Sequence, residues 1–293
     1  MARRDEIADL VSRLGGPGRT TLYQGTAQRV GEWTARDLAD LLSEGGNLLS
    51  RMETNAKTVK QLAERRFEGR ILYLAPAYTV SPFIGRRMNL CPNASGCVDA
   101  CLNTAGRAQI RTDASPLDLA DHPVHRARIR RAALWATDKN AFLERLNQEL
   151  INLERLADRS RRLPVARLDG TSDIGLAERV AADHPRIQFY DYTKRPGQMR
   201  RYLADKTPPN TYWVFSLSAT NHLVAMEVLD RGGTVAVVFN GSRLPRRWKG
   251  LPVIDGDRHD FRFTDRPGPA WVGLRAKGRA KNDDGNFTQR RDN

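Results

Sequence analysis

The sequence predicts an α/β fold: a complete or partial parallel (β/α) barrel behind a small helical N-terminal extension. Three observations predict it. From Arg70 onward, apolar runs rich in β-branched and aromatic residues alternate with amphipathic tracts almost to the last residues. The intervening tracts are long enough for right-handed crossovers, the connections that join parallel strands. Polar and charged residues also gather just after successive apolar runs, where the C-terminal ends of parallel strands would bring them together.

Each element has its own reason. Residues 1–69 mix short amphipathic stretches, such as "ARDLADLLSEGGNLLSRM", with glycine-rich breaks, and read as a helical N-terminal region. The catalytic barrel-like domain is expected over 70–279, opening with "ILYLAPAYTV" (71–80), a first strand that stops near Pro82. A long helical tract from about Pro123 to Arg161 follows, with Phe142, Leu143, Leu146, Leu150, Leu153 and Ala157 on one face. "LPVARLDG" (163–170) is the second strand, and "SDIGLAERVAADHP" begins with a Ser/Asp helix cap and closes at Pro185. "IQFYDYT" (187–193) is the third strand, and "PGQMRRYLADK" opens a helix with proline in its first turn. "TYWVFSLS" (211–218) is the fourth, and "NHLVAMEVLDRGG" is a helix ending on glycine before the fifth, "TVAVVF" (234–239). "LPVIDGDRHDFRF" and "AWVGLRAKG" add one or two strands, and 280–293 reads as a flexible polar tail.

Forty-eight Lys and Arg against thirty-four Asp and Glu leave a net charge of +14, which favours polyanionic partners over a neutral surface. The basic stretches are "RARIRR" (126–131), "RSRR" (159–162) and "RLPRRWKG" (243–250). The last sets Arg246, Arg247 and Lys249 around Trp248, a mixture suited to stacking on a base while contacting phosphate. A nucleic acid or nucleotide is the expected partner, with a solvated basic surface as the plain alternative. No apolar run reaches the roughly 18 residues a membrane span needs, and "MARRDEIADLVSRLGG" lacks a secretory core, so a cytoplasmic protein with no membrane partner is expected. No phosphate-binding glycine loop, Gly-x-Ser-x-Gly elbow or HExxH helix occurs, which removes the common hydrolase readings.

All three cysteines lie in "CPNASGCVDAC", at Cys91, Cys97 and Cys101. In a reducing compartment an odd, clustered set is a poor disulfide framework and a good metal site. Three thiolates hold three irons of a [4Fe-4S] cluster and leave the fourth open; a structural zinc would instead take a fourth ligand from His122 or His125. The polar residues at the expected strand ends are Asp169, Ser172 and Asp173, then Lys194 and Arg195, then Ser216, Ser218 and Asn221. Asp169 or Asp173 can serve as a base, with a helix-capping Asp173 as the alternative. Lys194 and Arg195 suit a carboxylate or phosphate, and the serines and Asn221 suit a nucleoside. "DGDRHD" (255–260) reads as a polar hairpin before a second metal site.

A three-cysteine loop directly after the first strand of a strand–helix domain resembles the radical S-adenosylmethionine (SAM) superfamily. Within it, the chain is similar to phage-encoded three-cysteine proteins, through "YTKRPGQM" (192–199) and "FSLSATN" (215–221) in the same order after the cysteines. The resemblance covers about residues 70–275. It implies a [4Fe-4S] cluster whose open iron binds SAM and cleaves it to a 5′-deoxyadenosyl radical, and a host-cytoplasm location if phage-encoded. The loop spacing is longer than usual for that superfamily, and Ala100 stands where an aromatic commonly precedes the last cysteine. Asp169, Ser172 and Asp173 take the place of the segment that holds the SAM amino group. Two rival readings accompany it: a DNA base-exchange transglycosylase on a similar barrel with structural zinc, and a zinc-stabilised basic nucleic-acid-binding module without catalysis.

Overall fold

In the computed structural model, which describes residues 20–24, 28–33, 40–52, 66–75, 77–78, 88–97, 100–101, 123–283 and 287–290, the alternating pattern becomes one large sheet. Strands β1 (Thr20–Gln24) and β2 (Gln28–Trp33) form an antiparallel hairpin. β3 (Leu49–Arg51) lies antiparallel to β4 (Phe67–Leu72), and β5 (Ala77–Tyr78) pairs with β6 (Met88–Asn89). Helices α1 (Pro123–Thr137) and α2 (Lys139–Ser160) lead to β7 (Leu163–Arg167). Then come α3 (Leu176–Val180), β8 (Gln188–Thr193), α4 (Pro196–Tyr202), β9 (Thr211–Ser216), α5 (His222–Asp230) and β10 (Thr234–Phe239). β11 (Arg247–Trp248), β12 (Leu251–Asp255) and β13 (Ala270–Arg275) finish the sheet.

The sheet has nine strands in the order β11-β12-β13-β10-β9-β8-β7-β4-β3. From β4 to β12 every neighbouring pair is parallel, whereas β3 and β11 are antiparallel at the two edges. The expected barrel does not close. Closure needs the two outermost parallel strands to meet, and here each is capped by an antiparallel edge strand instead.

Strands β4, β7, β8, β9 and β10 are added in sequence order, stepping one way across the sheet. Right-handed crossovers repeated in one direction put every helix on the same face. The core agrees. Leu72, Ala166, Phe189, Trp213, Phe215, Val235, Val237 and Trp271 share one buried cluster with residues of all five helices. Alternate residues turn to the other face, where Phe67, Ile71, Val165 and Tyr190 pack with Phe261, and Phe263 packs against them from the same segment between β12 and β13.

Several element boundaries differ from expectation for local reasons. The first strand is Phe67–Leu72 rather than 71–80, because Glu68 is neutralised by Arg70 and Arg162 and so enters a strand that sequence alone marks as polar. That strand crosses the expected domain boundary at residue 70, and β3 brings residues 49–51 into the sheet. The N-terminal part is therefore not simply helical. Within 35–52, helix is confined among the described residues to 40–43, and Gly45 and Gly46, at φ 67° and 96°, turn the chain toward β3. The tract 123–161 is two helices, broken where Asp138 caps α2 by accepting from the Ala141 amide at 2.9 Å. The polar tail is also ordered where it is described, with a 3-10 turn at Gly278–Asn282 and residues 287–290 fastened to β10.

Loops at the C-terminal ends of β4 and β7 pack tightly together. The Gly170 amide donates to the Leu72 carbonyl at 3.0 Å, and the Thr171 hydroxyl donates to the Leu74 carbonyl. A Cβ on Gly170 would stand 2.7 Å from that Leu72 oxygen and 2.9 Å from the Tyr73 ring. Gly170→Ala is expected to cost about 1–3 kcal/mol in urea unfolding through overpacking. Gly197→Ala, in α4 with its nearest neighbour atom at 3.9 Å, is expected to be neutral or to stabilise by up to about 1 kcal/mol.

Candidate functional site

The shared direction of β4, β7, β8, β9 and β10 sends their C-terminal ends to one edge, and the cysteine loop crosses that edge. Leu90 is buried, and its carbonyl accepts the Asp173 amide at 2.7 Å, tying the loop to the end of β7. Tight turns follow: the Ala94 amide donates to Cys91, the Cys97 amide donates to Ser95, and Gly96 takes φ 62°. Ser95 then shares hydrogen bonds with Ser218 at 3.2 Å and Thr220 at 2.7 Å, beyond β9. The loop thus bridges from β7 to β9 over the end of β8, the strand that delivers Lys194.

Lys194 is the electrostatic centre of this mouth. Burial works against its ammonium, but Cys97, Cys91, Asp173 and Cys101 all bear on it, and together they hold it above its ordinary value. Cys97 is buried, while Cys91 and Cys101 are half-buried and none is in a disulfide. Burial pushes the Cys91 thiol up to about 12, against the pull of Lys194. The three expected thiols, Lys194 and Asp173 therefore stand within electrostatic range of one another.

The two aspartates have different work. Asp169, expected as a base, is occupied: its carboxylate accepts the Ser172 hydroxyl at 2.6 Å and the amides of Ile174, Gly175 and Leu176 at 3.2, 2.8 and 3.1 Å. It caps α3 from outside the helix, so neither Ser172 nor Asp173 is the cap. Asp173 instead accepts from the Thr193 hydroxyl at 2.8 Å and the Lys194 amide at 2.7 Å. Burial pushes its carboxyl from 3.8 up to about 6, against the hydrogen bond from the Lys194 amide.

Other expected ligands are partly committed to structure. The Arg195 guanidinium donates to Gln198 at 3.1 Å and lies against Gly175, where there is no room for a Cβ. Asn221 closes a local turn, accepting the Ser218 amide at 2.8 Å and donating to the Ser216 carbonyl at 3.0 Å. Sequence reasoning missed Ser95, Thr193 and Thr220, whose hydroxyls bind the mouth together; only their place in polar stretches after strands pointed to them.

The basic stretches are corrected in two places. Trp248 is buried, edge-on to Phe239 at 5.4 Å and Trp271 at 4.5 Å, so its ring is not presented for stacking on a base. Arg243, Arg246, Arg247 and Lys249 beside it are exposed. The 126–131 stretch turns inward: Arg130 donates to the Gly46 carbonyl, Arg131 donates to the Asn47 and Tyr73 carbonyls, and Arg126 pairs with Glu44. "DGDRHD" is an internal charge network, with Asp255 and Asp257 on Arg275, and Asp260 on Arg167. His122 lies outside the described residues, and His125 is buried in α1.

The donor set fits a thiophilic metal by its chemistry, with three soft ligands on one polar loop and a half-buried cation near them to balance thiolate charge. Among the described residues, no group of three or more His, Cys, Asp and Glu is gathered closely enough to hold an ion as it stands. No described helix is long and apolar enough to cross a membrane. In comparisons with known proteins, the family model described as gene product 88 matches residues 47–291. No curated protein and no solved structure matches the chain.

Asp173 gives a pH test. Its folded pKa is raised, so the native chain binds the proton more tightly than the unfolded chain does. Its contribution to stability is full below about 4 and is lost as pH rises through about 6. Asp173→Asn is expected to flatten the pH dependence of unfolding across that window, read from denaturant midpoints at successive pH values.

Proposed function

The chain belongs to the gene product 88 family, and from that premise we propose a phage-encoded enzyme with an iron–sulfur cluster on Cys91, Cys97 and Cys101, acting on a nucleic acid or nucleotide-derived base. Family membership supports the phage origin. The observation that carries the chemistry is the meeting of three thiols with the half-buried Lys194 at the C-terminal ends of adjacent parallel strands.

In this reading the cysteine loop draws its thiols together on the cluster, and the lost protons are replaced by metal charge. Bound there, a cluster with an open iron and SAM supply one-electron chemistry. The chain's own residues do the rest. Lys194 offsets thiolate charge and faces an anionic group of the ligand, and Asp173 accepts from an amino or hydroxyl group. Ser218 lines the β9 side, and Ser216 and Arg195 stand on the adjoining strand ends. Asp169 and Ser172 set the shape of the loop through their own hydrogen bonds. The exposed Arg243, Arg246, Arg247 and Lys249 supply a phosphate-contacting edge, without a stacking contribution from Trp248.

Anaerobic reconstitution with iron and sulfide tests the metal. Brown protein with visible charge-transfer absorption, lost in each of Cys91→Ser, Cys97→Ser and Cys101→Ser, is the expected result. Colourless protein that keeps a tightly bound zinc would favour the transglycosylase or binding-module reading instead.

The basic edge has a separate test. Replacing Arg243, Arg246, Arg247 and Lys249 with Gln is expected to weaken binding to duplex or single-stranded DNA. The slope of log K against log salt should become shallower by about one for each phosphate contact removed. An unchanged slope places the nucleic-acid surface elsewhere.

A further inference from the structure

The segment after β13 has a role that its polar composition conceals. The Ala276 amide donates to the Phe239 carbonyl at 3.0 Å, carrying the chain across the end of β10. After the 3-10 turn at Gly278–Asn282, the Asp283 carboxylate accepts the Thr288 amide at 2.8 Å and hydroxyl at 3.1 Å. Gln289 then adds a parallel bridge to β10: its amide donates to Val238 at 2.8 Å and its carbonyl accepts from Asn240 at 3.0 Å. The segment is a strap: residues 276–283 and residues 287–290, its two described parts, are each tied at the strand edge that the cysteine loop crosses.

Between those ties the strap meets the loop itself. Ala276 and Ala280 form one buried cluster with Ala100, and Phe287 and Val238 pack against it. Ala100 immediately precedes Cys101. Three alanines at one contact let the two backbones approach closely, and Phe287 supplies the large apolar side chain over them. The loop is held at its other end by Leu90 and Ser95, and on the Cys101 side this cluster packs against Ala100.

We propose that Phe287 is a positioning residue for the cysteine loop: by packing against the Ala100–Ala276–Ala280 cluster it holds the Cys101 end of the loop in place and limits access to that thiol. This deepens the cluster reading and depends on it for its functional meaning. The seating itself is a property of the chain and can be measured with no metal present.

The test uses the full chain as wild type, Phe287→Ala, Gln289→Pro and Phe287→Leu. Gln289→Pro removes the amide that donates to Val238 and so releases the strap without touching the aromatic. Alkylation by iodoacetamide is followed cysteine by cysteine by mass spectrometry, with Cys97 as internal reference. Phe287→Ala and Gln289→Pro are expected to speed labelling of Cys101 about tenfold relative to Cys97, and Phe287→Leu to restore most of the protection. Unchanged Cys101 labelling, or equal acceleration of all three cysteines, overturns the proposal. Titration with Co²⁺ as probe adds a spectroscopic readout: Phe287→Ala should lower the thiolate-to-cobalt absorption per bound ion while the far-ultraviolet dichroism is unchanged. If wild type takes up neither cobalt nor iron, the cluster reading fails, and the labelling result still decides the seating.

Discussion

The mouth of this sheet depends on the Asp169 carboxylate. It is buried with four donors around it, one hydroxyl and three amides, and a charge so placed is stable only because each lone-pair direction is used. Those bonds fix the turn from β7 into α3. Asp191 secures the near side of the same turn by accepting the Leu168 and Asp169 amides at 2.9 and 2.7 Å, and is itself held by Arg167. With the turn fixed, the Asp173 amide meets the Leu90 carbonyl, and the Asp173 carboxylate meets Thr193 and Lys194. The place of the cysteine loop follows from that chain of contacts, so Asp169 helps to build the site in which it stands.

The cationic surplus has a similar double nature. Arg128, Arg130 and Arg131 are all buried, and the guanidinium groups of the last two end on backbone carbonyls of Gly46 and Asn47, leading into β3, and of Tyr73, just after β4. Glu149 matches them by accepting the Leu48 and Leu49 amides at 2.8 and 2.7 Å. A planar fork of donors suits carbonyls that no strand partner satisfies, which is why these are arginines. Arg167 is likewise internal: burial opposes its charge, and Asp260 and Asp191 hold it. Part of the arginine content therefore ties the fold together. The acid-free stretch from Arg243 to Lys249 is where exposed basic side chains concentrate on one edge.

The parallel strands were legible because their signals are local. "TVAVVF" is a strand end to end, and the glycine after α5 stops that helix with φ 85° at Gly232. Sequence order also placed Cys, Asp, Lys and Ser groups at one edge, since parallel strands leave no other place for the residues that follow them. What was not legible depended on distant partners. Glu68 enters a strand with help from the distant Arg162 as well as from its neighbour Arg70, and Trp248 is buried where Phe239 and Trp271 lie beside it. Barrel closure was unreadable for the same reason: whether two edge strands meet depends on what caps each, and β3 and β11 are too short to announce themselves.

The state of the thiols bears on what the loop is for. A nucleophilic or redox-sensing cysteine is exposed and has its thiolate favoured; Cys91 is partly buried with its thiol pushed up to about 12, so the proton stays on at neutral pH. Such a thiol is inert toward most electrophiles but remains a strong ligand, because a metal cation replaces the proton and removes the charge that burial penalises. Lys194 fits that exchange. Burial opposes its ammonium, and Cys97, Cys91, Asp173 and Cys101 already favour it; thiolates on a metal would keep a negative partner beside it. Under the proposed cluster reading, the raised Cys91 thiol, the favoured Lys194 ammonium and three soft donors on one loop are parts of a single exchange, in which metal charge takes the place of thiol protons.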